Sequence, residues 1–121
     1  MLDHIALQCS DLDTSAAFYD AVLAPLGAHR LIDDDAIGFG VSEPMFWLGP
    51  HRFGTGFRES HIAFTASDEA AVTAFFAAAV STGADVLYEP QRWPQYHPGY
   101  YAAFVRDPDG NNVEAVYHGR S

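Results

Sequence analysis

Polar and apolar positions alternate strictly at the start of the chain. Ile5, Leu7 and Cys9 share one face and His4, Ala6 and Gln8 the other, the pattern of a half-buried strand. The same alternation returns later, with Ile62, Phe64 and Ala66 opposed to His61, Ala63 and Thr65. After each strand the period changes from two to that of a helix. Leu12, Ala16, Tyr19, Leu23 and Leu26 form one apolar stripe, and Val72, Phe75, Phe76, Ala79 and Val80 form a second. Ser10-Asp11 and Ser67-Asp68 supply N-caps. Gly27 and Gly83 supply C-terminal stops. Shorter apolar runs predict strands at about 28–33, 36–42 and 44–49, and again at about 85–90, 99–106 and 112–118.

The two halves also match in identity. HIALQCSDLDTSAAFYDAV from His4 aligns with HIAFTASDEAAVTAFFAAA from His61, an offset of 57 residues (61 − 4). A duplicated βαβββ module explains both agreements. The expected architecture is α+β, one domain over residues 1–121. Module 1 covers about 1–50, a Gly- and Arg-rich connector about 51–59, and module 2 about 60–118. Asp33-Asp34-Asp35 reads as a solvated turn, and Asp107-Pro108-Asp109-Gly110 as a tight one.

Charge narrows the partners. The chain of 121 residues carries six basic and sixteen acidic side chains, a net charge of −10. That field repels a phosphate backbone and an anionic membrane surface. Small molecules remain as partners. All six basic residues are arginine, so lysine-based Schiff-base or P-loop chemistry is excluded. A single cysteine, a start without a basic n-region and no long apolar run point to a cytoplasmic setting. Cys9 falls on the helix-facing side and reads as a small hydrophobe.

Three residues carry the candidate chemistry. His4 and His61 lie on equivalent wet strand faces, and Glu114 interrupts an otherwise apolar final strand. Two imidazoles and a carboxylate form a common ligand set for a divalent metal, Fe or Zn in particular. For one isolated histidine a hydrogen-bonded strand residue is the simpler reading; the symmetry argues for a site. Phe46, Trp47, Trp93, Tyr96, Tyr100 and Tyr101 are candidates to line an aromatic pocket, and those at 93–101 equally to serve as core or dimer interface. His97 and Tyr96 sit on a proline-bounded loop suited to acid–base work or substrate contact. Arg52, Arg58 and Arg92 are candidates to neutralise an anionic group. His29, His51 and His118 read as exposed.

The segments DHIAL (3–7), SDLDTSAAFY (10–19), SHIAF (60–64) and DPDGNNVEAV (107–116) resemble the vicinal oxygen chelate superfamily of glyoxalase I, bleomycin-resistance proteins and extradiol dioxygenases. The resemblance covers essentially the whole chain. It implies paired βαβββ modules forming a cup-shaped mixed sheet around one divalent metal ion (Fe, Mn, Ni or Zn), held by His4, His61 and Glu114. It also implies a metal-dependent lyase, isomerase or extradiol-type dioxygenase that chelates vicinal oxygens and stabilises an enolate or catecholate. On this reading Glu114, His97 and Tyr101 act in catalysis, and Phe46, Trp47, Arg92, Trp93, Tyr96 and Tyr100 bind substrate. Glyoxalase-like members draw a fourth ligand from the last strand of module 1, where this chain has Pro-Met-Phe-Trp-Leu-Gly at 44–49 and no suitable donor, with Glu43 just before it as a weak candidate.

Two rival readings remain at this stage. A metal-free, antibiotic-sequestering protein of the bleomycin-resistance type would use the acidic, aromatic groove to hold a cationic ligand. An assembly module would show a closed pocket and an exposed apolar patch. Exposed sheet edges predict a homodimer.

Overall fold

A computed structural model describes residues 1–51 and 56–119. The order is β1 (Ile5–Cys9), α1 (Leu12–Leu23), β2 (His29–Asp33), β3 (Ile37–Gly40), β4 (Phe46–Pro50), β5 (His61–Thr65), α2 (Glu69–Ser81), β6 (Val86–Arg92), β7 (Tyr101–Arg106) and β8 (Asn112–Tyr117). This is βαβββ twice, with strand limits close to those predicted. Arg52 lies outside the described residues.

The helix ends are built alike in both modules. The Asp11 carboxylate accepts from Thr14 N, and Asp68 accepts from Ala71 N, each satisfying one of the orphan donors of a first turn. At the other end Gly27 and Gly83 adopt φ of 86° and 84°. That left-handed turn lets Ala28 N reach Leu23 O, and Ala84 N reach Ala79 O. Pro25 enters a short 3-10 turn, Ala24–Leu26, after α1.

The strands form two four-stranded mixed sheets, β1-β4-β3-β2 and β5-β8-β7-β6. In each, the first strand pairs in parallel with the last: Ala6 with Trp47, and Ala63 with Glu114. β1 and β5 end their sheets and are not paired with each other. Both helices and the inner faces of both sheets share one core around Tyr19, Phe39, Phe75, Leu48 and Val113. Phe46 joins it through edge contacts with Tyr19 (4.7 Å) and Phe64 (5.1 Å). Cys9 is buried as expected, and burial raises its thiol above the ordinary value.

A polar latch ties the modules together. The turn between β7 and β8 sends Asp107 to the Tyr19 hydroxyl, which donates at 2.6 Å, and to the Asn111 side chain at 3.0 Å. Asp109 accepts from Ser10 N at 3.2 Å and from the Ser15 hydroxyl at 3.4 Å. Burial, then the adjacent Asp107 charge, pushes the Tyr19 phenol far above its usual pKa. The Asp33-Asp34-Asp35 turn is solvent-exposed, as read from the sequence.

Candidate functional site

Module 2 assembles the site on the sheet face turned away from the helices. β5 places His61, Ala63 and Thr65 on that face, and β8 places Asn112, Glu114 and Val116 beside them in register. β7 adds Phe104, paired with Glu114. Glu114 is 2% exposed, and a carboxylate at that depth needs partners. It has two. His61 Nε2 lies 2.8 Å from Oε1, and the Tyr100 hydroxyl donates to Oε2. Burial, followed by the Glu114 hydrogen bond and charge, raises the Tyr100 phenol well above its ordinary value. Tyr100 is therefore a firm proton donor across the neutral range. The His61 side chain is about half exposed, so the pair is open to solvent from the imidazole side. Asn112, opposite His61, has a buried side-chain oxygen without a hydrogen-bond partner among the described residues.

The loop after β6 roofs this face with aromatic rings. Trp93 meets Phe104 edge-on at 5.3 Å and Tyr88 at 5.1 Å, and donates its indole N–H to Ala102 O at 3.2 Å. Tyr96 lies 4.9 Å from the Tyr100 ring. The loop is clasped to the chain end beyond β8: the His97 and His118 rings stack, with Nε2 and Nδ1 2.9 Å apart. Gly99 and Gly119 pass so closely that a Cβ on Gly119 would fall 2.5 Å from Gly99 O, and Gly99 holds a left-handed φ of 87° that disfavours a side chain there as well.

The structure brings His61, Glu114, Tyr100, Trp93, Tyr96 and His97 into one neighbourhood and leaves other expected residues outside it. Tyr101 points to the opposite face and packs on the shared core. Neighbouring residues on a strand alternate sides, so Tyr100 has the contact with Glu114 and Tyr101 does not. Phe46 belongs to the core and lies apart from the Glu114 neighbourhood, because β4 turns it toward the helices. Arg92 is exposed and paired with Glu69 of α2 at 3.0 Å, and Arg58 is exposed on the connector. His118, expected to be exposed, is half-buried against His97 and Tyr100.

Module 1 contributes differently. His4 hydrogen-bonds the adjacent Asp3 at 2.6 Å and is half exposed. It does not join His61 and Glu114: among the described residues no three metal-binding side chains lie close enough to hold one ion. His4 and His61 both border an open apolar groove of about 500 Å³, with Ile5, Phe46, Ile62 and Phe64 along its walls. Tyr100 as a Glu114 partner and His118 as a His97 partner had no spacing signal, since each pair joins separate strands and loops.

Comparison with known proteins extends these observations. The model of the Glyoxalase/Bleomycin resistance protein/Dioxygenase superfamily matches residues 1–115. An uncharacterised Pseudomonas aeruginosa protein, PA2024, is 32% identical over 125 residues, covering 96% of this chain and 87% of the relative. A glyoxalase/bleomycin resistance protein from Albidiferax ferrireducens superposes with a TM-score of 0.83 at 27% identity, over 94% of this chain and 96% of that one. A lactoylglutathione lyase from Agrobacterium tumefaciens gives 0.70 at 26% identity, over 94% and 90%.

Proposed function

We propose, because the chain belongs to the Glyoxalase/Bleomycin resistance protein/Dioxygenase superfamily, that it is a small divalent-metal enzyme acting on a compact substrate with two neighbouring oxygens. The observation that carries this reading is the His61–Glu114 pair. A buried carboxylate oxygen and an imidazole nitrogen converge on one point that opens outward through the half-exposed histidine. That donor chemistry suits a borderline divalent cation. One chain supplies two of the three ligands, and His4 of the partner subunit supplies the third. The unpaired β1 and β5 edges and the apolar groove beside them support a homodimer, since both are surfaces a second copy would cover.

In this reading His61 and Glu114 hold the ion, which when bound supplies the Lewis acidity that favours an enolate- or catecholate-like charge on the substrate. Tyr100 fixes the second carboxylate oxygen by donating its proton, so Glu114 presents the first in one orientation. Trp93, Tyr96 and Phe104 cover the face beside Tyr100 with rings and leave the approach past His61 open. His97 sits behind Tyr100 and braces the loop. Among the described residues no helix is long and apolar enough to cross a membrane.

The test is a Co(II) titration of wild type and His61→Ala, then of a refolded mixture of His4→Ala with His61→Ala. Loss of binding in both variants and recovery toward a quarter of the sites in the mixture are expected, because a mixed dimer restores one complete site of two. Full metal binding by His61→Ala overturns the ligand assignment. No recovery on mixing overturns the shared site. One observation favours a second reading, metal-free ligand capture: both Glu114 oxygens are engaged by protein partners, His61 and Tyr100. Wild type that takes up no Co(II) decides for that reading.

A further inference from the structure

The duplicated register exposes a substitution inside the site. Ala6 pairs with Trp47 as Ala63 pairs with Glu114, and His4 and His61 each precede those alanines by two residues. Trp47 therefore occupies, in module 1, the position Glu114 occupies in module 2. We infer that Trp47 is the specificity-determining residue of the site and selects a planar aromatic substrate by stacking. The inference rests on the reading above, in which module 1 of one copy closes over module 2 of another. The twofold relation between the modules then sets this indole across from Glu114.

The surroundings of Trp47 are those of a platform. Gly38, its neighbour on β3, lies under the indole: a Cβ there would sit 3.0 Å from the far carbons of the ring. In module 2 the equivalent β3 position is Phe104 beside Glu114. Bulk and smallness are thus exchanged between the strands, and the glycine is what lets the indole lie against the sheet. Ala6, Ala36 and Gly49 complete a shallow floor of about 270 Å³. At Gly49 a Cβ would meet nothing within 4 Å, so the floor beyond the ring is open on that side. Trp47 remains half-buried with an uncovered side. An immobilised ring next to cleared, uncharged floor stacks a flat π-system better than it holds an aliphatic chain. A second carboxylate at this position would instead have gripped the metal.

Isothermal titration of wild type, Trp47→Phe and Trp47→Ala with 2,3-dihydroxynaphthalene and with glycolate, each with and without Co(II), tests this. The ring probe is expected to weaken about tenfold or more in Trp47→Ala and less than about threefold in Trp47→Phe. Glycolate is expected to change less than about twofold in either. Equal losses for both probes, no loss for the ring probe, or a wild type that does not bind it overturns the inference. Trp47→Glu supplies the complementary arm: Co(II) binding tightens about tenfold or more while the ring probe is lost. Unchanged Co(II) affinity in that variant shows that position 47 does not face the metal and overturns the placement. If wild type binds no Co(II), the metal reading fails, and the ion-free ring series still decides the role of Trp47.

Discussion

The two modules share a backbone and differ in what they do with it. Both begin with His-Ile-Ala on a strand, cap the helix with aspartate and close it with a left-handed glycine. In module 2 the parallel partner strand brings a buried carboxylate beside the histidine. In module 1 the same register position holds an indole, and His4 turns to its exposed neighbour Asp3. The turns before the last strands differ as well. Asp107-Pro108-Asp109-Gly110 reaches across to Ser10, Ser15 and Tyr19. Among the described residues the turn before β4, at 42–44, makes no such cross-module bond. Duplication thus preserved the scaffold, while the wet faces diverged: module 2 holds the charge and module 1 offers the flat apolar surface.

The sharpest challenge to treating the modules as separable is their shared core. Phe75 of module 2 is fully buried in the cluster that holds Tyr19 and Phe39 of module 1. Phe75→Ala is expected to cost about 3–5 kcal/mol and to lower one cooperative unfolding transition seen by both circular dichroism and tryptophan fluorescence. Two separated transitions would mean that the modules fold independently.

The latch gives a smaller effect with a pH signature. Tyr19→Phe removes one donor from the buried Asp107 carboxylate, which keeps Asn111, and is expected to cost about 1–2 kcal/mol. In the unfolded chain the phenol titrates near pH 10, whereas burial and Asp107 hold its proton to higher pH in the folded state. The unfolded state therefore loses the proton first, and stability falls as pH rises past about 10. Urea unfolding at pH 9 and pH 11 should show that decline flattened in Tyr19→Phe. An undiminished decline would place its origin elsewhere.

Tyr100→Phe tests the positioning of the module 2 carboxylate. Metal affinity is expected to fall about tenfold, the lower end for loss of a ligand's hydrogen-bond partner. Tyr101→Phe is expected to leave it unchanged, since that ring faces the core. A Co(II) titration of both variants distinguishes the two tyrosines. Smallest of all is Arg92→Ala. Its pairing with Glu69 is exposed and should contribute less than about 1 kcal/mol to stability. A large loss of substrate binding in that variant would return Arg92 to the site.

What could be read along the chain was whatever depends on local spacing. Alternation, helical stripes, caps and the repeat predicted βαβββ twice, and the paired histidines with Glu114 were legible as candidate donors, because each signal lies within one element or in the match between two. Tyr100 and Tyr101 could not be told apart: a one-residue choice of where β7 begins flips every side chain to the other face. His118 as the partner of His97, Asp107 as the partner of Tyr19, and Trp47 as the counterpart of Glu114 all depend on which strands and turns lie side by side. The sequence by itself determined the elements, the symmetry and the donor types, since these follow from short-range periodicity and side-chain chemistry. Only the tertiary structure decided which donors meet and that module 1 presents a ring where module 2 presents a carboxylate, because strand register is set by long-range pairing and a shared core.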